Sequence, residues 1–278
     1  MDLTAPLAVD TAARATLAAG GTAHVHSAFE RAVNLVAPDG TVLTLADPSL
    51  GTGPRAVGVH APCALGLAPG DAVTLGTDAL GTPHGSVPVP TRVVDHAVPA
   101  LAPRPEAVAA VQHLVRRTAT APLGSWEERT ARTLTDRLAT LVAALATRDD
   151  DHVDRAVAAL VGLGHGLTPT GDDMLCGLLL ATHLQSPAVA YRTTLVTAVR
   201  AHHGATVPLS ATFLEDACGG RARSQALDLV HALHTGSHVT DAVHAVLSIG
   251  HSSGHDLLTG LVAGLTGLVD TRLTEGTA

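Results

Sequence analysis

Two segments of this 278-residue chain match each other, and this repeat constrains the fold more than any other feature of the sequence. Residues 170–181 read TGDDMLCGLLLA and residues 253–264 read SGHDLLTGLVAG. Their shared frame is a hydroxyl residue, Gly, any residue, Asp, any residue, Leu, any residue and Gly. A glycine-bearing turn precedes each copy. The repeat therefore predicts a pseudo-symmetric helical domain in which each copy begins a helix.

The polar residues of the repeat have a structural interpretation. Thr170 and Asp173, like Ser253 and Asp256, have the spacing of a capping box. In that motif the hydroxyl accepts from a backbone N–H of the first turn, and the acid reaches back to the N-cap N–H. The glycine at the end of each frame would let another helix approach closely. On this interpretation both copies only start helices.

The same residues also have a functional interpretation. A glycine-rich turn that enters a helix presents N–H groups and the positive end of the helix dipole, which favours an anion. Asp172 in the first copy and His255 in the second occupy equivalent positions and could form an acid/base pair if the two copies face each other. The catalytic candidates are Asp172, Asp173, His255 and His165.

The remaining sequence divides into a β-like part and a helical part. Short segments rich in Val, Thr and Leu, bounded by Gly, Pro or Asp, predict strands at 24–36, 41–45, 56–60, 72–75 and 86–94. From about residue 106 onward, helical periodicity recurs through to residue 269. We therefore predict an α+β protein. A small β barrel or sandwich (1–100) is followed by a larger all-helical domain (101–278), which carries the repeat.

Composition excludes several functions. The 17 basic residues are all arginine, so lysine Schiff-base chemistry and lysine-dependent phosphate loops are excluded. A net charge of -8 and 1% aromatic residues argue against nucleic acid as a partner. Any bound anion must be held by Arg, hydroxyls and helix N-termini. We expect no metal ion and no cofactor.

The sequence favours a cytoplasmic location. The apolar segment 257–269 is too short and too Gly-rich to span a membrane, and residues 1–20 do not have the pattern of a secretory signal. The three cysteines show no CxxC spacing and are typical of free thiols in a reducing compartment.

Four blocks of the sequence resemble one family. They are GLTPTGDD (166–173), HSAFERAVNL (26–35), GHSSGHD (250–256) and TVPLS (206–210). These blocks are similar to motifs of the oxamate carbamoyltransferase subunit family, formerly a family of unknown function and later linked to anaerobic allantoin breakdown, a branch of purine catabolism. The resemblance implies reversible movement of a carbamoyl group between an oxalurate-like amide and phosphate, within a multi-subunit enzyme.

Within the matched blocks, the side chains suggest substrate-binding roles. Arg31 could clamp a carboxylate or phosphate. Asn34 could hold a substrate carbonyl or fix a turn, and Ser27 could orient substrate or bond to the backbone. Hydroxyl and N–H donors would come from the two turns. The substrate-binding candidates are Ser27, Arg31, Asn34, Gly166, Thr168, Thr170, Gly171, Ser252, Ser253, Gly254 and Asp256.

Two other functions remain open from the sequence. The chain could be a non-catalytic ligand-binding subunit of a larger enzyme. It could also be a stand-alone hydrolase of a small amide or ureide, in which Asp172 and a histidine activate water. In each case the expected partners are a small anionic amide or ureide, or carbamoyl phosphate, and a homo-oligomer is compatible with the sequence.

Overall fold

The computed structural model describes residues 7–118, 126–164, 166–184 and 190–268. The chain forms two compact units. The N-terminal unit extends to Ala97 and also includes Arg221–Leu227, and the helical unit consists of Val98–Gly220 and the chain from Asp228 onward. The predicted α+β class is confirmed. That residues 1–100 and 101–278 are independent domains stays a prediction, and the sequence did not assign residues 221–227 to the first part.

The N-terminal unit is built on a curled sheet, which has nine strands among the described residues. They are β1 (Val9–Asp10), β2 (Thr22–Ala28), β3 (Ala32–Val36), β4 (Val42–Ala46), β5 (Ala56–Gly58), β6 (Ala72–Thr74), β7 (Ala79–Thr82), β8 (Gly85–Pro88) and β9 (Val93–Val94). Their order across the sheet is β8-β7-β6-β2-β3-β4-β5-β1-β9. Most neighbours are antiparallel, but β4 with β5 and β1 with β9 are parallel.

Segment 24–36, which reads as one β-like stretch, folds as the hairpin of β2 and β3. The N–H of Phe29 donates to the carbonyl of Ala32 and closes the turn. The polar pair Glu30 and Arg31 lies at this turn and is exposed. A charged pair in the middle of a β-branched segment indicates a turn, and the prediction of one strand over 24–36 did not take it into account.

One helix, α1 (Thr11–Ala19), belongs to the N-terminal unit. Asp10 is its N-cap, and its carboxylate accepts from the N–H groups of Ala12 and Ala13. Leu17 on this helix is buried together with sheet residues such as Leu35, Leu43 and Leu45. The core is aliphatic, as the scarcity of aromatic residues requires.

Nine further helices follow in the described residues. They are α2 (Pro105–Thr118), α3 (Trp126–Thr147), α4 (Asp150–Ala158), α5 (Thr170–Leu184), α6 (Ala190–His202), α7 (Pro208–Cys218), α8 (Ser224–Thr235), α9 (Val239–Leu247) and α10 (Ser253–Gly267). No helix in the described part of the chain is long and apolar enough to cross a membrane. The repeat copies form α5 and α10, each beginning at its hydroxyl residue.

Helices α5 and α10 pack side by side through their glycines. A Cβ atom on Gly177 would lie 1.9 Å from the carbonyl oxygen of Leu257, and one on Gly260 would lie 1.9 Å from that of Met174. Leu257 is the repeat equivalent of Met174, so the two contacts are reciprocal. Farther along, Gly264 faces Ala181. The two helices therefore run in the same direction, with their N-termini adjacent.

This contact predicts a large effect for Gly177→Ala. The new methyl group has no space against a backbone carbonyl, so the helices must separate, and overpacking of this kind costs about 1–3 kcal/mol or more. We expect urea unfolding to show a lower free energy of unfolding for the variant. Gly204→Ala is the matched control, because nothing lies within 4 Å of a Cβ there. Equal stability of the two variants would contradict the close contact.

Candidate functional site

The first turns of α5 and α10 lie next to each other and bring polar residues of both repeats together. The hydroxyl oxygens of Thr168 and Ser253 are 2.8 Å apart. Beside them are the two equivalent carboxylates, Asp173 and Asp256, which are 8% and 7% exposed. We refer to Asp173 and Asp256 as the dyad. Sequence symmetry predicted that the two helix starts could face one site, and these contacts show that they are adjacent.

The pKa of the Asp173 carboxyl is strongly raised. Burial raises the pKa of its carboxyl, and the nearby charges of Asp256 and Asp172 add to this, while hydrogen bonds from Ser253 and Thr168 oppose it; the pKa lies at about 7. Its Oδ2 atom is buried without a hydrogen-bond partner. At neutral pH this carboxyl is therefore divided between its protonated and ionised forms.

Asp256 resembles Asp173 in having a buried Oδ2 atom without a hydrogen-bond partner. Its Oδ1 atom lies 3.9 Å from Nδ1 of His255. This neighbouring carboxylate raises the pKa of His255, while burial of the imidazole lowers it. His255 is thus a half-buried imidazole beside the dyad, and its Nε2 atom is also buried without a hydrogen-bond partner.

The capping-box interpretation does not describe these acids. The N-cap of α10 is Ser252, which makes no side-chain capping bond, and Ser253 is already helical. In α5 the N–H groups of Asp172 and Asp173 donate to the carbonyl of Pro169. Pro169, and not Thr170, is therefore the residue whose carbonyl accepts the first helical hydrogen bonds. The hydroxyl of Ser253 contacts Thr168 instead of capping the helix. The dyad carboxylates are therefore not needed to satisfy the helix ends.

Asp172 has a different set of partners. Its Oδ1 atom accepts from the N–H of Gly162 at 2.8 Å, and its Oδ2 atom accepts from the hydroxyl of Thr206. These bonds tie the turn after α4 to the segment before α7. No ion pair within 4.0 Å joins Asp172 to His255, which pairs with Asp256. Asp172 and His255 therefore do not form a direct ion pair, because Asp172 faces the turn at Gly162.

The glycines that follow Thr170 and Ser253 are packing residues. The N–H of Gly171 donates to Leu163 and that of Gly254 donates to Ile249. A Cβ on Gly171 would meet the carbonyl of Leu160 at 2.1 Å. These N–H groups are already hydrogen-bonded, so they do not form the anion cradle that the sequence suggested. The buried side-chain atoms at the helix starts that lack a hydrogen-bond partner are Oδ2 of Asp173, Oδ2 of Asp256 and Nε2 of His255.

The other candidates in the helical unit lie around these turns. Gly166 is exposed with φ of +99° and has open space beside it. Ser252 is exposed, and Thr170 is half-buried at the first position of α5. His165 lies outside the described residues. Thr206, the partner of Asp172, lies in the TVPLS block that the resemblance singled out, although its bond to Asp172 was not foreseen.

Three candidates belong to the N-terminal unit. Asn34 is buried, where its Nδ2 atom donates to the hydroxyl of Ser27 at 3.0 Å and its Oδ1 atom accepts from Thr44 at 2.9 Å. These bonds link β2, β3 and β4 and occupy both ends of the amide. Arg31 is exposed at the hairpin turn, and its guanidinium makes no ion pair within the described residues.

Comparison with known families identifies the chain. Residues 160–265 match the family model described as oxamate carbamoyltransferase subunit AllH, and residues 5–89 match the AllH family N-terminal domain. The chain belongs to the AllH family. No solved structure matches it. The two matches contain every candidate residue named above, and the AllH match includes both helix starts and the dyad.

In this AllH-family chain the raised pKa of Asp173 predicts a pH-dependent stability. Unfolded, the carboxyl loses its proton near 3.8, whereas folded it keeps the proton up to about 7. Unfolding therefore releases a proton in this window, and the free energy of unfolding falls as the pH rises through it. Above pH 7 or so, the folded chain carries the full free-energy cost of an ionised, buried Asp173.

We expect Asp173→Asn to be more stable than the parent by roughly 2 to 4 kcal/mol near pH 8, with the difference shrinking towards pH 4. Urea unfolding across this pH range measures it. Asp136→Asn, on an exposed position of α3, is the matched control and should show no such trend. A difference that does not change with pH would refute a raised pKa at Asp173.

Proposed function

We propose that this AllH-family chain is a subunit of a carbamoyltransferase and that the dyad binds the carbamoyl end of a small anionic ureide such as oxalurate. In the forward direction the carbamoyl group moves to phosphate and oxamate is released. The family description supports a carbamoyltransferase subunit. The choice of the dyad as the site rests on the described contacts.

The observation that carries the proposal is a pair of buried, unpartnered carboxylate oxygens at one place. A buried acceptor without a hydrogen bond costs about 1–3 kcal/mol. A ligand that supplies N–H donors removes this cost. The terminal NH₂ of a carbamoyl group has two such donors, one for Oδ2 of Asp173 and one for Oδ2 of Asp256.

The surrounding groups suit a polar ligand of this kind. Both helix N-termini carry partial positive charge, which favours acidic side chains in the first turn. The hydroxyls of Thr168 and Ser253 contact each other and can turn towards a carbonyl oxygen. A hydroxyl that donates to the carbamoyl oxygen would stabilise the charge that develops there as the carbonyl is attacked.

Asp173 is the proposed proton donor. A phosphate oxygen bonds to the carbamoyl carbon, and the bond from that carbon to the oxamate nitrogen breaks. The departing nitrogen takes the proton of Asp173 and leaves as the neutral amide of oxamate, and the proton that hydrogen phosphate loses returns to the Asp173 carboxylate. In the reverse direction the Asp173 carboxylate removes a proton from that nitrogen as it attacks. A pKa of about 7 suits both directions near neutral pH.

Asp172 and Arg31 have different places in the proposal. Asp172 is a positioning residue, since both of its oxygens accept hydrogen bonds from the protein. It is not available to activate water, which argues against the stand-alone hydrolase. In the N-terminal unit Arg31 stays the predicted anion-binding residue because its exposed guanidinium is unpaired within the described residues. A cytoplasmic location and the identity of the partner subunits also stay predictions.

The donor requirement predicts which ligands bind. We expect oxalurate, oxamate and carbamoyl phosphate to raise the melting temperature, whereas oxalate and phosphate, which lack the NH₂ group, do so less. A ligand at 100 times its Kd stabilises the folded chain by about 2.7 kcal/mol. Asp256→Asn should weaken binding of the NH₂ ligands because it replaces an acceptor with a donor. Equal shifts with oxamate and oxalate would contradict recognition of the amide.

The proton-donor role predicts the turnover of Asp173→Asn. In the complete enzyme with its partner subunits, we expect kcat for carbamoyl phosphate formation from oxalurate to fall by about 10²–10⁴-fold. Asp136→Asn should leave kcat unchanged. If Asp173→Asn keeps full kcat while Asp256→Asn still weakens binding, the chain is a ligand-binding subunit and its partner supplies the acid.

A further inference from the structure

A second group of polar residues, in the N-terminal unit, has the arrangement of a hydroxyl nucleophile with its base. Nδ1 of His96 lies 2.8 Å from Oδ2 of Asp10, and Nε2 of His96 lies 3.0 Å from Oγ1 of Thr52. Asp10 is fully buried and His96 is 3% exposed, whereas Thr52 is half-buried. An acid, an imidazole and a hydroxyl thus form a chain that ends towards the surface.

The Asp10 carboxylate determines which ring nitrogen of His96 carries a proton. Burial raises the pKa of Asp10, but hydrogen bonds from His96 and from the N–H of Arg55, together with the charge of Arg221, lower it to about 2. An ionised carboxylate only accepts hydrogen bonds, so Nδ1 of His96 carries the proton that it donates to Asp10. In the neutral ring Nε2 then has a free electron pair directed at the hydroxyl of Thr52.

Thr52 is held rigidly. Its N–H donates to the hydroxyl of Ser224 at 3.1 Å, and its carbonyl accepts from the N–H of Ser224 at 2.9 Å. It lies between Gly51, with φ of +72°, and Gly53, which packs against Arg223. These neighbours leave no side chain adjacent to Thr52 in sequence that would cover its hydroxyl.

We propose that Thr52 is a nucleophile for small activated acyl or carbamoyl donors, with His96 as its general base and Asp10 as the residue that orients the ring. This site uses no residue of the dyad and does not rest on the proposed function. Its substrates are esters or acyl phosphates, in which the bond to be broken has a good leaving group.

The chemistry balances without a further co-reactant except water. Oγ1 of Thr52 bonds to the carbonyl carbon while Nε2 of His96 takes the hydroxyl proton. The bond from that carbon to the leaving oxygen then breaks, and the leaving group takes the proton from Nε2. Water next attacks the acyl-threonine ester with His96 as base. This step releases the acid and returns the proton to Oγ1.

The test is acylation by 4-nitrophenyl acetate, followed by intact-protein and peptide mass spectrometry after an acid quench. The chain has no lysine, so acylated lysine side chains do not contribute a background. We expect one acetyl group per chain, located on Thr52. Thr52→Ser should still be labelled, Thr52→Val should not, and His96→Asn should slow labelling by about 10²–10⁴-fold. The asparagine amide can still donate to Asp10, as Nδ1 does.

Thr44→Val is the matched control, because Thr44 also donates its hydroxyl to a neighbouring side chain, Asn34, in the same unit. It should be labelled like the parent. Circular dichroism checks that each variant is folded. Absence of an acetyl group on Thr52 in the parent chain, or full labelling of Thr52→Ser and Thr52→Val alike, would overturn the proposal. Neither result involves oxalurate, so these experiments do not test the carbamoyl-transfer proposal, which the binding and kcat measurements test separately.

Discussion

The chemistry of the helical unit depends on the contact of two glycines with the backbone of the opposite helix. Gly177 lies against Leu257, and Gly260 lies against Met174, with no space for a side chain. This contact fixes the distance, the direction and the register of α5 and α10 at once. Because the helices run parallel and in equivalent register, equivalent residues meet. Asp173 and Asp256 are equivalent residues of the two repeats, so this register places them next to each other.

Parallel packing of α5 and α10 brings two positive helix N-termini together, and the dyad carboxylates reduce the repulsion between them. Two adjacent helix N-termini each carry about half a positive charge, and like ends repel. A carboxylate in the first turn of each helix offsets this repulsion. The two acids are themselves close and buried, so one proton is retained up to about pH 7 on Asp173. The packing that stabilises the helix pair therefore also produces an acid that can exchange a proton near neutral pH.

The sequence predicted the elements well because their signals are local. The hydroxyl-Gly-x-Asp frame indicated both helix starts, and Pro or Gly bounded most strands. It could not predict the partners of each side chain, which depend on register. Asp172 looked free for chemistry because its repeat equivalent is His255, yet Gly162 and Thr206 occupy both of its oxygens. The dyad looked like two caps because spacing alone cannot show where a carboxylate points.

The absence of lysine acquires a different meaning once the hydrogen bonds are known. With no lysine, the glycine turns seemed the natural place for an anion, but the N–H groups of Gly171 and Gly254 are bonded to Leu163 and Ile249. The unpartnered carboxylate oxygens of the dyad are acceptors, which suit an amide N–H better than a phosphate or carboxylate oxygen. In the proposed function, the dyad therefore recognises the carbamoyl end that ureide and carbamoyl phosphate share. Their anionic ends need other donors, and arginine is the only permanently charged side chain with which this chain can supply them.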